Sequence, residues 1–248
     1  MGPQGWGALK AAWYVAAPGR WRDWASVLHP PYTAWHLSYV LVGAALAPHF
    51  SVSRLVATLL AFGLAVGVAA HGFDELHGRP LGTAISAPVL AGVSVSALAG
   101  AVALGVVGIS RVGWGLAVFI AAGATVVVAY NLEAWGGRLH NKVTFALAWG
   151  AFPVLTAYYA QAATLRPAAV VAAGFAFGLS RAQRTLSTEA RDLRRRVSSV
   201  EGQRLYLDGR VEPLSRQSLL APVEQSLVTL SWCVCALGVA MVLARTGH

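Results

Sequence analysis

Charged residues are scarce in this chain, and acidic residues are the scarcest. Only 12% of its 248 residues are Asp, Glu, Lys or Arg, and just ten are acidic, whereas 56% are hydrophobic. A soluble domain contains about 25% charged residues, so this composition excludes an ordinary soluble enzyme. The mean hydropathy of +0.58 indicates instead a protein that crosses the bilayer several times. We therefore expect an integral membrane protein.

Cysteine is nearly absent as well. Cys233 and Cys235 are the only two, and both lie inside the last apolar stretch. A disulfide framework or a cysteine-ligated zinc site needs more cysteines at other spacings, so neither is indicated.

The first 28 residues lack the unbroken apolar core of a signal peptide. Their tryptophans and basic residues are typical of an amphipathic helix at the membrane interface, which we predict for residues 1–28.

Long apolar segments are what the chain has in abundance. Most of the seven segments are close to the about 20 residues that a helix needs to span a bilayer. We therefore predict an all-α fold, a polytopic transmembrane helix bundle of about seven spans over residues 29–248. The apolar segments are 33–49, 53–71, 85–107, 112–130, 143–162, 166–180 and 221–244.

Basic residues are distributed unevenly between the two sides of this predicted bundle. The N-terminus and the loops after the second, fourth and sixth segments contain 15 of the 19 Lys and Arg residues. This asymmetry predicts a cytoplasmic N-terminus and an outside C-terminus, which we expect in a bacterial inner membrane. The net charge of +9 then reflects membrane orientation, and no nucleic-acid partner is expected. The polar loops 71–84, 131–142 and 181–220 would share the cytoplasmic side and form one polar mouth.

The first polar cluster directly follows the second apolar segment, in "AAHGFDELHGRPLGTAIS" (69–86). If the helix continues through it, His71 and Asp74 lie on one face because they are three residues apart. The neighbouring carboxylates Asp74 and Glu75 could hold Mg²⁺, which prefers oxygen ligands. Alternatively, both carboxylates pair with Arg79 and the histidines merely cap the helix.

The second polar cluster is "STEARDLRRR", in which Glu189 and Asp192 share a helical face. Arg191 and Arg195 stand beside them and could clamp a diphosphate that a carboxylate-bound metal also bridges. Alternatively, the arginines are topology anchors that bind anionic lipid. Lys142, at the start of the fifth segment, could contact a phosphate as a point charge or simply set the topology.

Four stretches together resemble the UbiA superfamily of intramembrane prenyltransferases. The stretch "HPPYTAWHLSYVLVGAALAP" (29–48) resembles its opening helix, and "GFDELHGRPLGTAIS" (72–86) resembles a shortened first aspartate-rich motif. "AWGAFPVLTAYYAQ" (148–161) is similar to the Gly-Pro-Leu helix of menaquinone-type members. "TEARDLRRR" (188–196) falls where the second aspartate-rich motif is expected.

The resemblance implies a prenyltransferase or cyclase that acts on an isoprenoid diphosphate, or another membrane lipid, at the cytoplasmic mouth. In this family two aspartate-rich loops hold Mg²⁺ and the diphosphate, and an acceptor attacks the allylic cation. Mg²⁺ is therefore the expected cofactor. By position, the catalytic residues would be Asp74, Glu75 and Asp192, the metal ligands Asp74, Glu189, Asp192 and His71, and the substrate-binding residues Arg79, Lys142, Arg191 and Arg195.

The two motifs nevertheless depart from the family pattern. Of the three acidic positions of the first motif only Asp74 is kept, because the other two are His71 and Gly78, and Arg196 replaces an acidic residue of the second motif. Two alternatives follow. The chain could be a non-catalytic lipid-binding or partner-binding protein that retains the fold. It could also hold iron or zinc with His71, His77 and His140.

Overall fold

The computed structural model describes residues 20–247, so most of the predicted interfacial segment 1–28 lies outside the described residues. The described chain is all-α apart from one short hairpin, which confirms the predicted fold class. Its helices are α1 (Arg20–Val27), α2 (Pro30–Leu46), α3 (Val52–Leu76), α4 (Ala87–Val112), α5 (Leu116–Asn131), α6 (Lys142–Ala162), α7 (Pro167–Arg195) and α8 (Arg216–Thr246), and its strands are β1 (Gln203–Leu205) and β2 (Val211–Pro213).

Seven of these helices, α2 to α8, coincide with the seven apolar segments. Four of them, α3, α4, α6 and α8, are long and apolar enough to cross a membrane, and α5 is a shorter apolar helix. Helix α7 has 29 residues, so it continues well beyond the apolar segment that predicted it. The polar stretch from Arg181 to Arg195 is therefore helix rather than loop.

Helix boundaries follow from local capping residues. Prolines occupy the first or second helical position of α2, α4 and α7, where the missing N–H costs no hydrogen bond. Asn141 caps α6 by accepting hydrogen bonds from the N–H groups of Val143 and Thr144. Ser215 forms a capping box with Ser218 at the start of α8. Strands β1 and β2 pair antiparallel between α7 and α8, in an exposed hairpin.

Helix α2 occupies the centre of the bundle and packs most extensively against α8 and α6. Glycines permit the closest approaches: a Cβ on Gly43 of α2 would overlap the backbone of Val154 in α6. A Cβ on Gly150 of α6 would lie 2.6 Å from the carbonyl oxygen of Ala176 in α7. Small residues at helix interfaces allow this kind of packing in membranes.

Two helices leave the α-helical pattern at their middle. Gly63–Ala70 in α3 and Leu147–Ala151 in α6 are wound as π-helix. In α6 the cause is local, because Pro153 has no N–H to donate to the carbonyl of Trp149 four residues earlier. Single π-helical turns frequently occur at functional sites, so these two segments direct attention to the space between them.

Candidate functional site

A polar cavity of about 340 Å³ opens at one end of the bundle, where the three predicted polar loops meet. It is formed by the start of α2, the end of α3, the α5–α6 loop and the polar half of α7. The structure therefore brings together side chains that are up to 166 positions apart in the sequence, from His29 to Arg195. Histidines, arginines and carboxylates are all present in its lining.

An apolar cavity of about 600 Å³ lies deeper, between α3, α4, α5 and α6. Val66 and Trp149 line both cavities, so the polar and apolar spaces adjoin at these two side chains. Val66 belongs to the π-helical segment of α3 and Trp149 to that of α6. The two irregular segments thus form the boundary between the polar mouth and the apolar interior.

Five of the seven histidines line the polar cavity. The rings of His29 and His71 are stacked, with centroids 4.5 Å apart, and the ring of His140 is stacked on Tyr130 at the same distance. Burial lowers the pKa of His29, so its imidazole is neutral at neutral pH. His29 also has a left-handed backbone conformation, with φ of 44°, directly before Pro30. The cavity-lining histidines are His29, His36, His71, His77 and His140.

Two of these histidines bind the π-helical segments. Nδ1 of His36 lies 2.9 Å from the carbonyl oxygen of Trp149, the carbonyl that Pro153 leaves without its α-helical donor. Nδ1 of His71 lies 3.3 Å from the carbonyl oxygen of Gly67. Each imidazole therefore donates a hydrogen bond to a backbone carbonyl of a π-helical segment.

Helix α7 supplies the positive charge of the cavity. Arg184, Arg191 and Arg195 all line it, because spacings of seven and eleven residues place them within about 40° of one another around a helix. The guanidinium of Arg184 lies 5.2 Å from the ring centre of Phe145 and 3.4 Å from Nε2 of His140. Arg194 also lines the cavity and is ion-paired with Glu224, which ties α7 to α8.

Two carboxylates line the cavity among its described residues. Asp74 lies close enough to Arg191 and Arg184 to interact with their charges. Glu133, from the α5–α6 loop, lies between two histidines, 3.8 Å from Nε2 of His77 and 3.7 Å from Nδ1 of His140. Glu133 was not among the site residues predicted from the sequence. Its backbone has a positive φ of 48°.

The loop after α3 uses two predicted site residues for its own structure. Glu75 is fully buried and accepts hydrogen bonds from the backbone N–H groups of Leu81 and Thr83 and from the Thr83 hydroxyl. The Arg79 guanidinium donates to the carbonyl oxygens of Ile85 and Thr83. Neither residue lines the polar cavity, and the pairing of both carboxylates with Arg79 is not formed.

The predicted acidic pair of α7 lies outside the cavity lining. Glu189 is exposed, and Asp192 Oδ1 is 3.3 Å from Nη1 of Arg196, the residue that directly follows α7. At 3.6 residues per turn, Glu189 is about 140° around the helix from Arg184, so the two cannot face the same space. Lys142, the first residue of α6, is exposed and also outside the lining.

The residues present do not fit a carboxylate-bound Mg²⁺ site. Within residues 20–247, no three His, Cys, Asp or Glu side chains are grouped so that they could hold a metal ion. Of the four predicted metal ligands, Asp74 and His71 line the cavity and Glu189 and Asp192 do not. Mg²⁺ binds through carboxylates, and here arginines outnumber carboxylates in the lining.

Several cavity residues were not predicted as site residues, among them Tyr32, His36, Tyr130 and Gln183. The buried Tyr130 Oη and Gln183 Oε1 form no hydrogen bond with any described residue. For Gln183 a signal existed in the sequence. Gln183, Ser187 and Arg191 recur every four residues, which marks a polar face on a helix.

Comparisons with known proteins add one similarity. No family model matches the sequence, and no curated protein matches it. Among solved structures, the chain is similar to a UbiA homolog from Archaeoglobus fulgidus that was bound to Cd²⁺. The similarity has a TM-score of 0.49 and 16% sequence identity, and it covers 89% of this chain and 84% of that chain.

Proposed function

We propose that this chain binds an isoprenoid diphosphate and transfers its isoprenyl group, as a divergent membrane prenyltransferase or cyclase of the UbiA type. The observation that carries the proposal is the junction of the polar and apolar cavities at Val66 and Trp149. A ligand that fills both spaces must have a polar head and a long apolar chain. An isoprenoid diphosphate has this shape.

The charge and size of the two spaces agree with such a ligand. Guanidinium groups form short, strong hydrogen bonds with phosphate oxygens, and several line the polar cavity. The apolar cavity, about 600 Å³, is within the range of about 300–1,000 Å³ that is usual for small-molecule sites. The head would therefore lie at the predicted cytoplasmic side and the chain within the bundle.

The proposed reaction starts with cleavage of the bond between the allylic carbon and the diphosphate oxygen. The bonding electrons leave with the diphosphate, whose charge the arginines stabilise. The π-electrons of an aromatic acceptor then form the new carbon–carbon bond with the allylic cation. The acceptor carbon loses its proton to Asp74, the carboxylate proposed as general base. No step is assigned to Mg²⁺.

Turnover by protein in nanodiscs tests this proposal. Protein supplied with radiolabelled geranylgeranyl diphosphate and a panel of aromatic acceptors should release diphosphate and form a prenylated product. Asp74→Asn should lower turnover about a hundredfold or more without lowering the folded yield, because a general base typically contributes that much. Asp208→Asn, a charge change in the exposed hairpin turn, should retain turnover. Equal turnover by wild type and Asp74→Asn would contradict the role of Asp74.

A non-catalytic lipid-binding function is the second candidate. It is favoured by the absence, among residues 20–247, of a group of three potential metal ligands. Under this alternative the same nanodisc experiment gives saturable binding of geranylgeranyl diphosphate and no diphosphate release with any acceptor.

A further inference from the structure

We infer that the phosphate head of the ligand is held without a divalent cation, by Arg184, Arg191, Arg195 and the Tyr130 hydroxyl. The inference rests on the proposed function, because it specifies how the same cavity recognises the head. It differs from the resemblance described above, in which carboxylate-bound Mg²⁺ holds the diphosphate.

The charges of the polar cavity support this inference first. Arg194 is ion-paired with Glu224, and the other three arginines of the lining still outnumber its two carboxylates, so its formal charge is positive before any histidine is protonated. One of those carboxylates, Glu133, already lies beside His77 and His140. A divalent cation would enter a space whose fixed charges repel it, whereas a phosphate or diphosphate would be attracted.

The arrangement of the arginines provides the second support. Arg184, Arg191 and Arg195 lie on one face of α7, over three turns of a continuous helix. A guanidinium presents a planar fork of donors that matches two phosphate oxygens. Successive guanidiniums along one helical face can therefore contact different oxygens of the same diphosphate.

The Tyr130 hydroxyl is an independent observation that points to a ligand. Tyr130 is only 4% exposed, lines the cavity, and its Oη forms no hydrogen bond with any described residue. Its ring is fixed between His140, on which it stacks, and Trp149, which it meets edge-on at 5.8 Å. A buried hydroxyl without a partner is costly, and a phosphate oxygen would accept its hydrogen bond.

The test is the binding of geranylgeranyl diphosphate to the full chain in nanodiscs, with Mg²⁺ or with EDTA. We expect dissociation constants that agree within about twofold. Binding that weakens about tenfold or more in EDTA would overturn the inference and leave the proposed function standing. No binding under either condition would overturn both. Inorganic diphosphate and geranylgeraniol, as separate competitors, distinguish recognition of the head from recognition of the chain.

Single substitutions test the contribution of individual residues to the same binding. Arg191→Gln should weaken binding about tenfold in EDTA, because a hydrogen bond to a charged group is lost. Arg196→Gln, directly after the last residue of α7 and outside the cavity lining, is the matched control and should bind like wild type. Tyr130→Phe keeps the ring and should weaken binding several-fold. Equal binding by Arg191→Gln and Arg196→Gln would contradict the assignment.

The Asp74→Asn variant distinguishes binding of the head by arginines from binding of the head through Mg²⁺. If the head is held by arginines, removing this carboxylate should leave the dissociation constant unchanged or lower it, since a repelling charge is lost. If Mg²⁺ on Asp74 holds the head, the same variant should weaken binding about tenfold or more. Weaker binding by Asp74→Asn would therefore overturn the inference.

Discussion

Asp74 and Glu75 are neighbours in the sequence and have different surroundings in the fold. Asp74 lines the polar cavity, whereas Glu75 points away from it and organises the loop after α3. The helix causes the difference, because consecutive residues are about 100° apart around its axis. A pair of adjacent carboxylates on a helix therefore cannot converge on one ligand in the way that the motif suggested.

Replacing Glu75 by Gln should destabilise the protein. One oxygen is exchanged for an amide group, so the side chain can no longer accept from both Leu81 and Thr83, and a hydrogen bond to a charged acceptor typically contributes about 1.5–3 kcal/mol. We expect a clearly lower midpoint of thermal unfolding in detergent. Glu201→Gln, at an exposed position, is the control and should unfold like wild type. Identical midpoints for both variants would contradict the structural role of Glu75.

The stability of the protein should fall as the pH drops below about 6.5, partly because of His29. Burial lowers the pKa of His29 in the folded state, so the unfolded state binds more protons in this range. His71 stacks on it, and Asp74, Glu75 and Arg191 act on its charge. His29→Gln should flatten the change in unfolding midpoint between pH 7.5 and pH 5.5. An unchanged slope would show that His29 does not titrate as expected.

At the scale of helices, the π-helical segments of α3 and α6 lie at the boundary between the two cavities. Each segment contributes one of the shared lining residues, and each has a backbone carbonyl bound by a histidine of the polar cavity. In α6 the sequence contains the cause, since Pro153 follows Trp149 by four residues. In α3 the flexible Gly63 and Gly67 permit the irregular winding.

Close packing of α6 on α7 should make Gly150 sensitive to substitution. In Gly150→Ala the new methyl would lie 2.6 Å from the carbonyl oxygen of Ala176, so the helices must separate. Overpacking typically costs about 1–3 kcal/mol, which should lower the unfolding midpoint. Gly174→Ala is the matched control, because no atom outside its own stretch of helix lies within 4 Å of a Cβ placed at this glycine. A Gly150→Ala variant as stable as Gly174→Ala would contradict this contact.

At the scale of the whole molecule, the apolar cavity leads from the polar mouth towards the opposite end of the bundle. Arg54 lines it there and donates to the carbonyl oxygens of Ala160, Gln161 and Arg111, near the ends of α6 and α4. The guanidinium satisfies acceptors that helix ends leave without donors. The interior is thus polar at both ends and apolar between them.

Filling the apolar cavity should weaken binding of a long isoprenoid more than binding of a short one. Ala124 of α5 lines the cavity, so Ala124→Phe should weaken geranylgeranyl diphosphate binding about tenfold and geranyl diphosphate binding less. Ala122→Phe, on the exposed side of the same helix, is the matched control. Equal losses for both ligands would indicate a general disturbance rather than a filled chain site.

The composition and length of the apolar segments were sufficient to predict an all-α bundle, and α2 to α8 coincide with the seven segments. The spacing of His71 and Asp74 likewise predicted that both share a face, and both line the polar cavity. These predictions succeed because a helix places its residues by a local rule, with a fixed rotation per residue and a fixed rise.

The helix faces that contact one another in the bundle could not be predicted from the spacing of residues along the chain. Glu189 and Asp192 do share a face, but the opposite stripe of α7, with Arg184 and Arg191, lines the cavity. His29 and Tyr130 lie 101 positions apart and join the same space only because α2 and α5 are brought to it by packing. Local sequence sets the polar stripe of each helix, whereas contact between stripes depends on the long-range packing of all helices at once. For that reason the membrane bundle could be predicted from the residues, and the cationic character of its mouth emerges from the assembled fold.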